Sequence, residues 1–248
     1  MSDRVEAYLV AGGKYHDIDF ARVELLKLLA EHPQVRVRVG SDYRDTESIA
    51  ASRFLVTYTC DVRPSEEEQE VLHDFVSSGG RWLALHATNA ALTFTKKGVD
   101  SPRVIPKLAF TLGSQFVAHP PIMPYKVECV APDHPLVKDI GSLVVEDELY
   151  LCEYHEREKL TPLLETSYSG QAEGFLESDW TDAERQLVMY LRPLGDGAVL
   201  YNTLGHCRGH YDMAPVMDYY PEIEQGSWQL PQYYELLRRS LRWCLGEF

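Results

Sequence analysis

The chain has 248 residues, 45 % of them apolar and 25 % charged, a balance that suits a globule large enough for one sizeable α/β core. The formal net charge of −14, with no basic run longer than the pairs Lys96-Lys97 and Arg238-Arg239, argues against nucleic acid and anionic membrane as partners. Five widely spaced cysteines without a CxxC pair argue against a disulfide framework and a thiolate zinc site.

No apolar run approaches the roughly 20 residues that span a bilayer. The first residues lack the basic-then-apolar order of a secretion signal, so the expected location is cytoplasmic. Val5–Val10 reads as a buried strand ending at Gly12-Gly13. Phe20–Glu31 carries apolar residues at helical spacing and closes before Pro33. Val35–Val39 alternates Val with Arg, the period of a half-exposed strand near a sheet edge. Phe54–Cys60 is a third strand. Ser65 and Glu68 then form a capping box for a helix that buries Val71, Leu72, Phe75 and Val76 and stops at Gly79-Gly80. Trp82–Leu85 is a fourth strand, ending at His86.

Strands alternating with helices of this length imply a parallel sheet whose binding groups gather beyond the carboxyl ends of the strands. Residues 92–124, rich in Pro, Gly and polar side chains, are expected as a flap over that end. Further strands are expected at Tyr125–Val130, Leu163–Thr166, Gln186–Leu191 and Ala198–Asn202, and a terminal amphipathic helix at Pro231–Leu245. Neither a linker nor a repeat interrupts residues 1–248, which reads as one domain.

GxGxxG, Walker, GxSxG and HExxH signatures are absent. What remains is a set of histidines and acids at strand ends. His86 follows an apolar strand where the chain must turn, a place for an acid/base group, a sugar-binding donor or a metal ligand. His206 follows the strand Leu200–Asn202 through Gly205, and His119 precedes a stiff Pro120-Pro121 pair. In Glu146-Asp147-Glu148-Leu149-Tyr150, extended alternation sends Asp147 to one face and Glu148 with Tyr150 to the other, so one acid points inward. His86, His206, Asp147, Glu148 and His119 are the candidate catalytic residues. His16, Asp17, Tyr150 and Asn89 are the candidate substrate contacts, although Asp17 is equally natural as a helix cap. Tyr150, Trp180 and Tyr211 offer flat faces to sugar rings. A divalent metal among the histidines and one carboxylate is compatible with these residue types, but no local ligand spacing specifies it.

Taken in order, Gly12-Gly13 with Lys14-Tyr15-His16-Asp17, Gly79 to His86, Gly113 to His119-Pro120, His134-Pro135, Asp147 to Tyr150, Leu204-Gly205-His206 and the closing helix with Trp243 resemble the ThuA-like (trehalose-utilisation) family, a branch of the class I glutamine-amidotransferase-like fold. The resemblance implies a flavodoxin-like three-layer α/β sandwich with a mainly parallel central sheet. It also implies a link to trehalose or other saccharides, including keto-sugars, with a small saccharide-like molecule as partner and homo-oligomerisation by analogy. In amidotransferases a cysteine nucleophile sits at the sharp turn after a strand; here the comparable position holds His86, so glutaminase chemistry is not implied. The chain reads as an enzyme using His/carboxylate acid–base chemistry. The alternatives are a metal-dependent hydrolase or isomerase and a non-catalytic sugar-binding or regulatory module.

Overall fold

Val5–Gly13 forms a strand whose residues 7–12 are buried on both faces, as a strand covered by helices on each side must be. The computed structural model describes residues 4–182 and 184–248. Its strands are, in chain order, β1 (Val5–Gly13), β2 (Val35–Gly40), β3 (Phe54–Cys60), β4 (Arg81–Leu85), β5 (Thr93–Thr95), β6 (Gly98–Asp100), β7 (Ser114–Ala118), β8 (Met123–Cys129), β9 (Leu143–Asp147), β10 (Leu151–Tyr154), β11 (Thr161–Thr166), β12 (Gln186–Leu194) and β13 (Gly197–Asn202). The α-helices are α1 (Ile18–Ala30), α2 (Thr46–Ala50), α3 (Glu66–Ser77), α4 (Pro106–Leu112) and α5 (Pro231–Leu245).

Among the described residues nine strands join in one sheet, in the order β2-β1-β3-β4-β13-β12-β11-β8-β9. The half from β2 to β13 is parallel, and each pairing from β13 to β9 is antiparallel. Strand β2 lies at the edge, and its Arg36 and Arg38 are exposed, as the Val/Arg alternation requires. Side chains of β1 alternate between two cores. Ala7, Leu9 and Ala11 pack with Leu25 and Leu29 of α1 and Leu236 of α5; Tyr8 and Val10 pack with Ile49 of α2, Leu72 of α3 and Leu108 of α4. The result is three layers, helices on both faces of the sheet. Leu9 and Leu25, both fully buried, each contribute about 1.5–3 kcal/mol to that arrangement. The capping box forms as expected: Glu68 N–H donates to Ser65 Oγ at 3.2 Å, and Ser65 N–H donates to Glu68 Oε2 at 2.7 Å.

The region 92–124 differs from the expected flap. A short hairpin, β5 with β6, is followed by helix α4 and the fully buried strand β7. Pro106 stands in the first turn of α4, where a missing N–H costs nothing, and Gly113 ends that helix in the left-handed conformation. The Pro and Gly content that suggested a loop therefore serves as helix punctuation.

Register decides where the chemistry collects. Gly13 pairs with Cys60, Tyr58 with Leu85, and Leu85 with Asn202, so β1, β3, β4 and β13 end at one level. In the small antiparallel pair of β7 and β10, Ala118 pairs with Leu151, which brings His119 and Tyr150 to the same end. Among the described residues no helix is long and apolar enough to cross a membrane.

Candidate active site

Each central histidine is placed by the end of a strand. His16 follows β1 and the Gly12-Gly13 turn. Gly13 has φ +112°, and a Cβ there would overlap the Cys60 carbonyl, so only glycine lets β1 turn so close to β3. His86 follows β4 directly and adopts φ +47°, strained for a residue with a side chain. That backbone throws the imidazole back over the sheet end, where it lies nearly parallel to the Tyr58 ring, with centroids 5.9 Å apart. His206 follows β13 through Gly205, whose φ of +118° brings the backbone against the Tyr233 hydroxyl.

These side chains surround one carboxylate. Glu148 Oε2 lies 3.4 Å from His86 Nε2 and 3.6 Å from His16 Nε2. Glu148 Oε1 lies 3.2 Å from His206 Nδ1, 3.6 Å from His119 Nε2 and 3.2 Å from Arg208 Nη2. His86 Nε2 and His16 Nε2 are 2.8 Å apart, and the Tyr150 hydroxyl is 3.1 Å from His86 Nε2. The inward donor atoms of His16, His86, Glu148 and His206 all lie within 4.8 Å of one another, close enough for one metal ion to reach all four. These four residues are buried, and His119 is partly exposed beside them.

Charge in the cluster is balanced locally. Burial works to raise the Glu148 pKa, but the charges of His206 and His119 and contacts from His16 and His206 outweigh it, holding the carboxyl well below its usual range. Burial also works against a charged His206, yet Glu148 and the hydrogen-bonded Glu224 raise its pKa to about 9. For His16 burial wins and lowers the pKa to about 3. Burial likewise lowers that of His119. Arg208 bridges the two acids, with Nη1 2.9 Å from Glu224 Oε2 and Nε donating to the Tyr15 carbonyl at 3.0 Å.

A cavity of about 240 Å³ opens onto His16, His119, Glu148, Tyr150 and Arg208, with walls that include Tyr15, Phe94, Phe116 and Phe175. A larger depression of about 480 Å³ lies by Arg53 and Gly80, at the amino ends of β3 and β4, and no histidine lines it. Ligands in open α/β sheets bind beyond the carboxyl ends, so the smaller cavity is the candidate site.

Several expected contacts fall elsewhere. Asp147 does not face the cavity. Its Oδ1 accepts the N–H groups of Glu148 and His206 at 2.8 and 3.1 Å, and its Oδ2 those of Gly205 and Ser227 at 3.0 and 2.9 Å. Four donors saturate the carboxylate, which makes it a staple for the site's backbone. Asn89 points into the protein and donates to Ser114 Oγ at 2.8 Å, because the turn after His86 coils inward. Asp17 caps α1, accepting the Phe20 N–H at 2.9 Å. Tyr211 is largely exposed, and Trp180 packs with Val117 and Leu149; neither lines the cavity, unlike Tyr150. Among the cysteines only Cys60 lines it, and burial, helped by the Glu148 charge, pushes its thiol well up. That opposes thiolate chemistry.

Sequence reasoning missed Arg208, Glu224 and the phenylalanines. Arg208 stands two residues after His206, which was a usable signal; Glu224 sits in an irregular loop that carries none.

Known proteins agree with this architecture. A ThuA-like protein from Bacteroides uniformis superposes with a TM-score of 0.69 at 16 % identity, over 98 % of this chain and 93 % of that one. One from Parabacteroides merdae gives 0.60 at 15 % identity, over 98 % and 90 %. A candidate GMP synthase component from Thermoplasma acidophilum gives 0.53 at 10 % identity, over 100 % and 97 %. At these identities the likeness establishes the fold, and no curated protein matches the chain. The ThuA family, described as trehalose utilisation, matches residues 7–220, and the chain belongs to it.

Proposed function

We propose that the protein is a cytoplasmic enzyme of carbohydrate metabolism that transforms a trehalose-like, keto-sugar or related polyhydroxylated compound at the Glu148 cluster. The observation that carries this reading is the convergence of four histidines and Arg208 on one buried carboxylate at the floor of a cavity with aromatic walls. Free cysteines accord with a reducing compartment.

The cavity suits such a substrate. Tyr15, Phe116 and Phe175 offer flat apolar faces to the C–H face of a pyranose, while His119 and Arg208 supply polar contacts. Its volume of about 240 Å³ is below the roughly 300–1,000 Å³ of ordinary ligand pockets, which favours one inserted ring with any second ring outside. The contacts of His119 support a part in proton exchange: Nδ1 donates to the Pro120 carbonyl at 2.7 Å, leaving Nε2 turned towards Glu148. Its role would be to take a proton from, or return one to, a substrate hydroxyl or a carbon beside a carbonyl. Arg208 would hold Glu148 in place during that exchange.

Incubation of tag-free protein with trehalose, other disaccharides and their oxidised keto forms tests the proposal, with products followed by mass spectrometry. Turnover that His119→Ala reduces at least about 100-fold, within the usual acid–base range, supports it. Saturable binding without product would favour a binding module instead.

A further inference from the structure

The protons of His16, His86 and His206 do not balance in a site that holds protein alone. A neutral imidazole carries one N–H, and a carbonyl or carboxylate partner requires that N–H on the nitrogen facing it. His86 Nδ1 faces the Thr203 carbonyl at 2.8 Å, and His16 Nδ1 faces the Lys14 carbonyl at 3.3 Å. His206 Nε2 faces Glu224 Oε2 at 2.8 Å. In the neutral rings each outer nitrogen thus takes the proton, and each inner nitrogen is left with a lone pair.

Those lone pairs point at one another and at an anion. His86 Nε2 and His16 Nε2 stand 2.8 Å apart, and both lie within 3.6 Å of Glu148 Oε2. The Tyr150 hydroxyl can donate to His86 Nε2, but that leaves His16 Nε2 facing the same atom. His206 Nδ1 is buried, and Glu148 Oε1 lies 3.2 Å from it on the inner side, a contact that falls short of a well-formed hydrogen bond. A second proton on His16 would place an imidazolium in a buried site, which desolvation opposes, whereas Glu148 and Glu224 favour one on His206, and a bound cation would have to displace it. A cation bound by the lone pairs and the carboxylate removes the conflict at once.

We propose that His16 Nε2, His86 Nε2, His206 Nδ1 and a Glu148 oxygen bind one divalent transition-metal ion at the floor of the cavity. The outer shell has the form such ions require, each ligating ring donating its other N–H to a carbonyl or carboxylate that fixes tautomer and orientation. Imidazole and carboxylate without thiolate select zinc, iron, manganese or cobalt over calcium or magnesium. Two nitrogens 2.8 Å apart, each about 2.1 Å from an ion, subtend close to a right angle, which fits five or six ligands better than a closed tetrahedron. His16 and Glu148 line the cavity, whereas His86 and His206 are fully buried behind them, so the remaining coordination positions open towards the substrate.

This inference deepens the enzymatic reading without depending on turnover. Tag-free, EDTA-stripped full-length protein is titrated with zinc, manganese and cobalt chlorides by calorimetry, and the cobalt form is followed by visible absorption. The expected result is one ion per chain, with affinity at least about 100-fold lower in Glu148→Gln and His206→Asn. Glu224→Gln, which spares every ligand, should weaken binding about 10- to 100-fold with an unchanged circular-dichroism spectrum, and so serves even if His206→Asn misfolds. Wild-type protein that stays folded and binds no ion saturably overturns the inference, as does binding that Glu148→Gln and Glu224→Gln leave unchanged. One bound ion without turnover of any saccharide would uphold the metal site and remove the enzymatic reading. Saccharide turnover by wild-type protein that binds no ion saturably would do the reverse.

Discussion

His86 Nε2 stands 2.8 Å from His16 Nε2, although 70 residues of chain separate the two. The contact exists because β1 and β4 flank β3 in register, so the residues after their carboxyl ends meet above it. Under the proposed metal site His86 is a structural as well as a functional residue. His86→Ala removes a ligand, orphans the Thr203 carbonyl and leaves alanine at φ +47°. We expect activity to vanish and stability to fall by about 1–3 kcal/mol, read by urea denaturation. An unchanged midpoint would show that the observed backbone and hydrogen bond contribute nothing.

Asp147 governs the site without facing it. Asp147→Asn replaces one carboxylate oxygen by an amide that presents donors to two of the four backbone N–H groups. A loss of about 2–4 kcal/mol is expected, together with weaker metal binding as Glu148 and the 205–206 turn shift. Retention of wild-type stability would contradict the staple role.

Under the proposed function the wall of the cavity acts on substrate rather than on chemistry. Phe175 lies edge-on to His119, with ring centroids 4.9 Å apart, and packs against Phe116 at 5.8 Å. Phe175→Ala should raise KM about 10-fold and leave kcat within about twofold, because it removes binding shared by ground state and transition state. Steady-state kinetics separates the two; a large fall in kcat with constant KM would place Phe175 in the reacting geometry instead.

Without an ion, His206 is the cluster's basic group. Its folded pKa, raised from 6.5 to about 9, contributes stability that is complete below about pH 6.5 and lost as pH rises through about 9. The melting temperature of EDTA-stripped protein should therefore decline between pH 6.5 and 9. Metal binding displaces that proton, so affinity should increase with pH over the same interval and the loaded protein should not show the decline. Parallel melting curves with and without ion would contradict the shared role of His206.

Much of the parallel half was legible in the sequence, because its signals are local. The capping box at Ser65 and Glu68, the Val/Arg alternation of β2 and the apolar stripe of α5 each act over a few residues. The rule that groups collect beyond strand ends pointed to His16, His86, His119 and His206, and the structure brings these together around Glu148. Alternation also separated Asp147 from Glu148, but could not tell which of them faces the site; that is decided by the turns at Gly205 and Gly226, far away in sequence. Arg208 and Glu224 escaped notice for the same reason. They act through a pairing between two irregular segments, with backbone hydrogen bonds of 2.8 Å in both directions. The Pro- and Gly-rich region 92–124 misled because composition cannot distinguish a proline that opens a helix from one that prevents it.

The most direct test of the His16–His86–His206–Glu148 metal site is anomalous diffraction from a crystal of cobalt- or zinc-loaded protein, measured on both sides of the metal absorption edge. A single strong peak is expected about 2.0–2.2 Å from His16 Nε2, His86 Nε2, His206 Nδ1 and a Glu148 oxygen. A crystal grown in saturating metal with no peak there, or with its metal held only by surface residues, would contradict it.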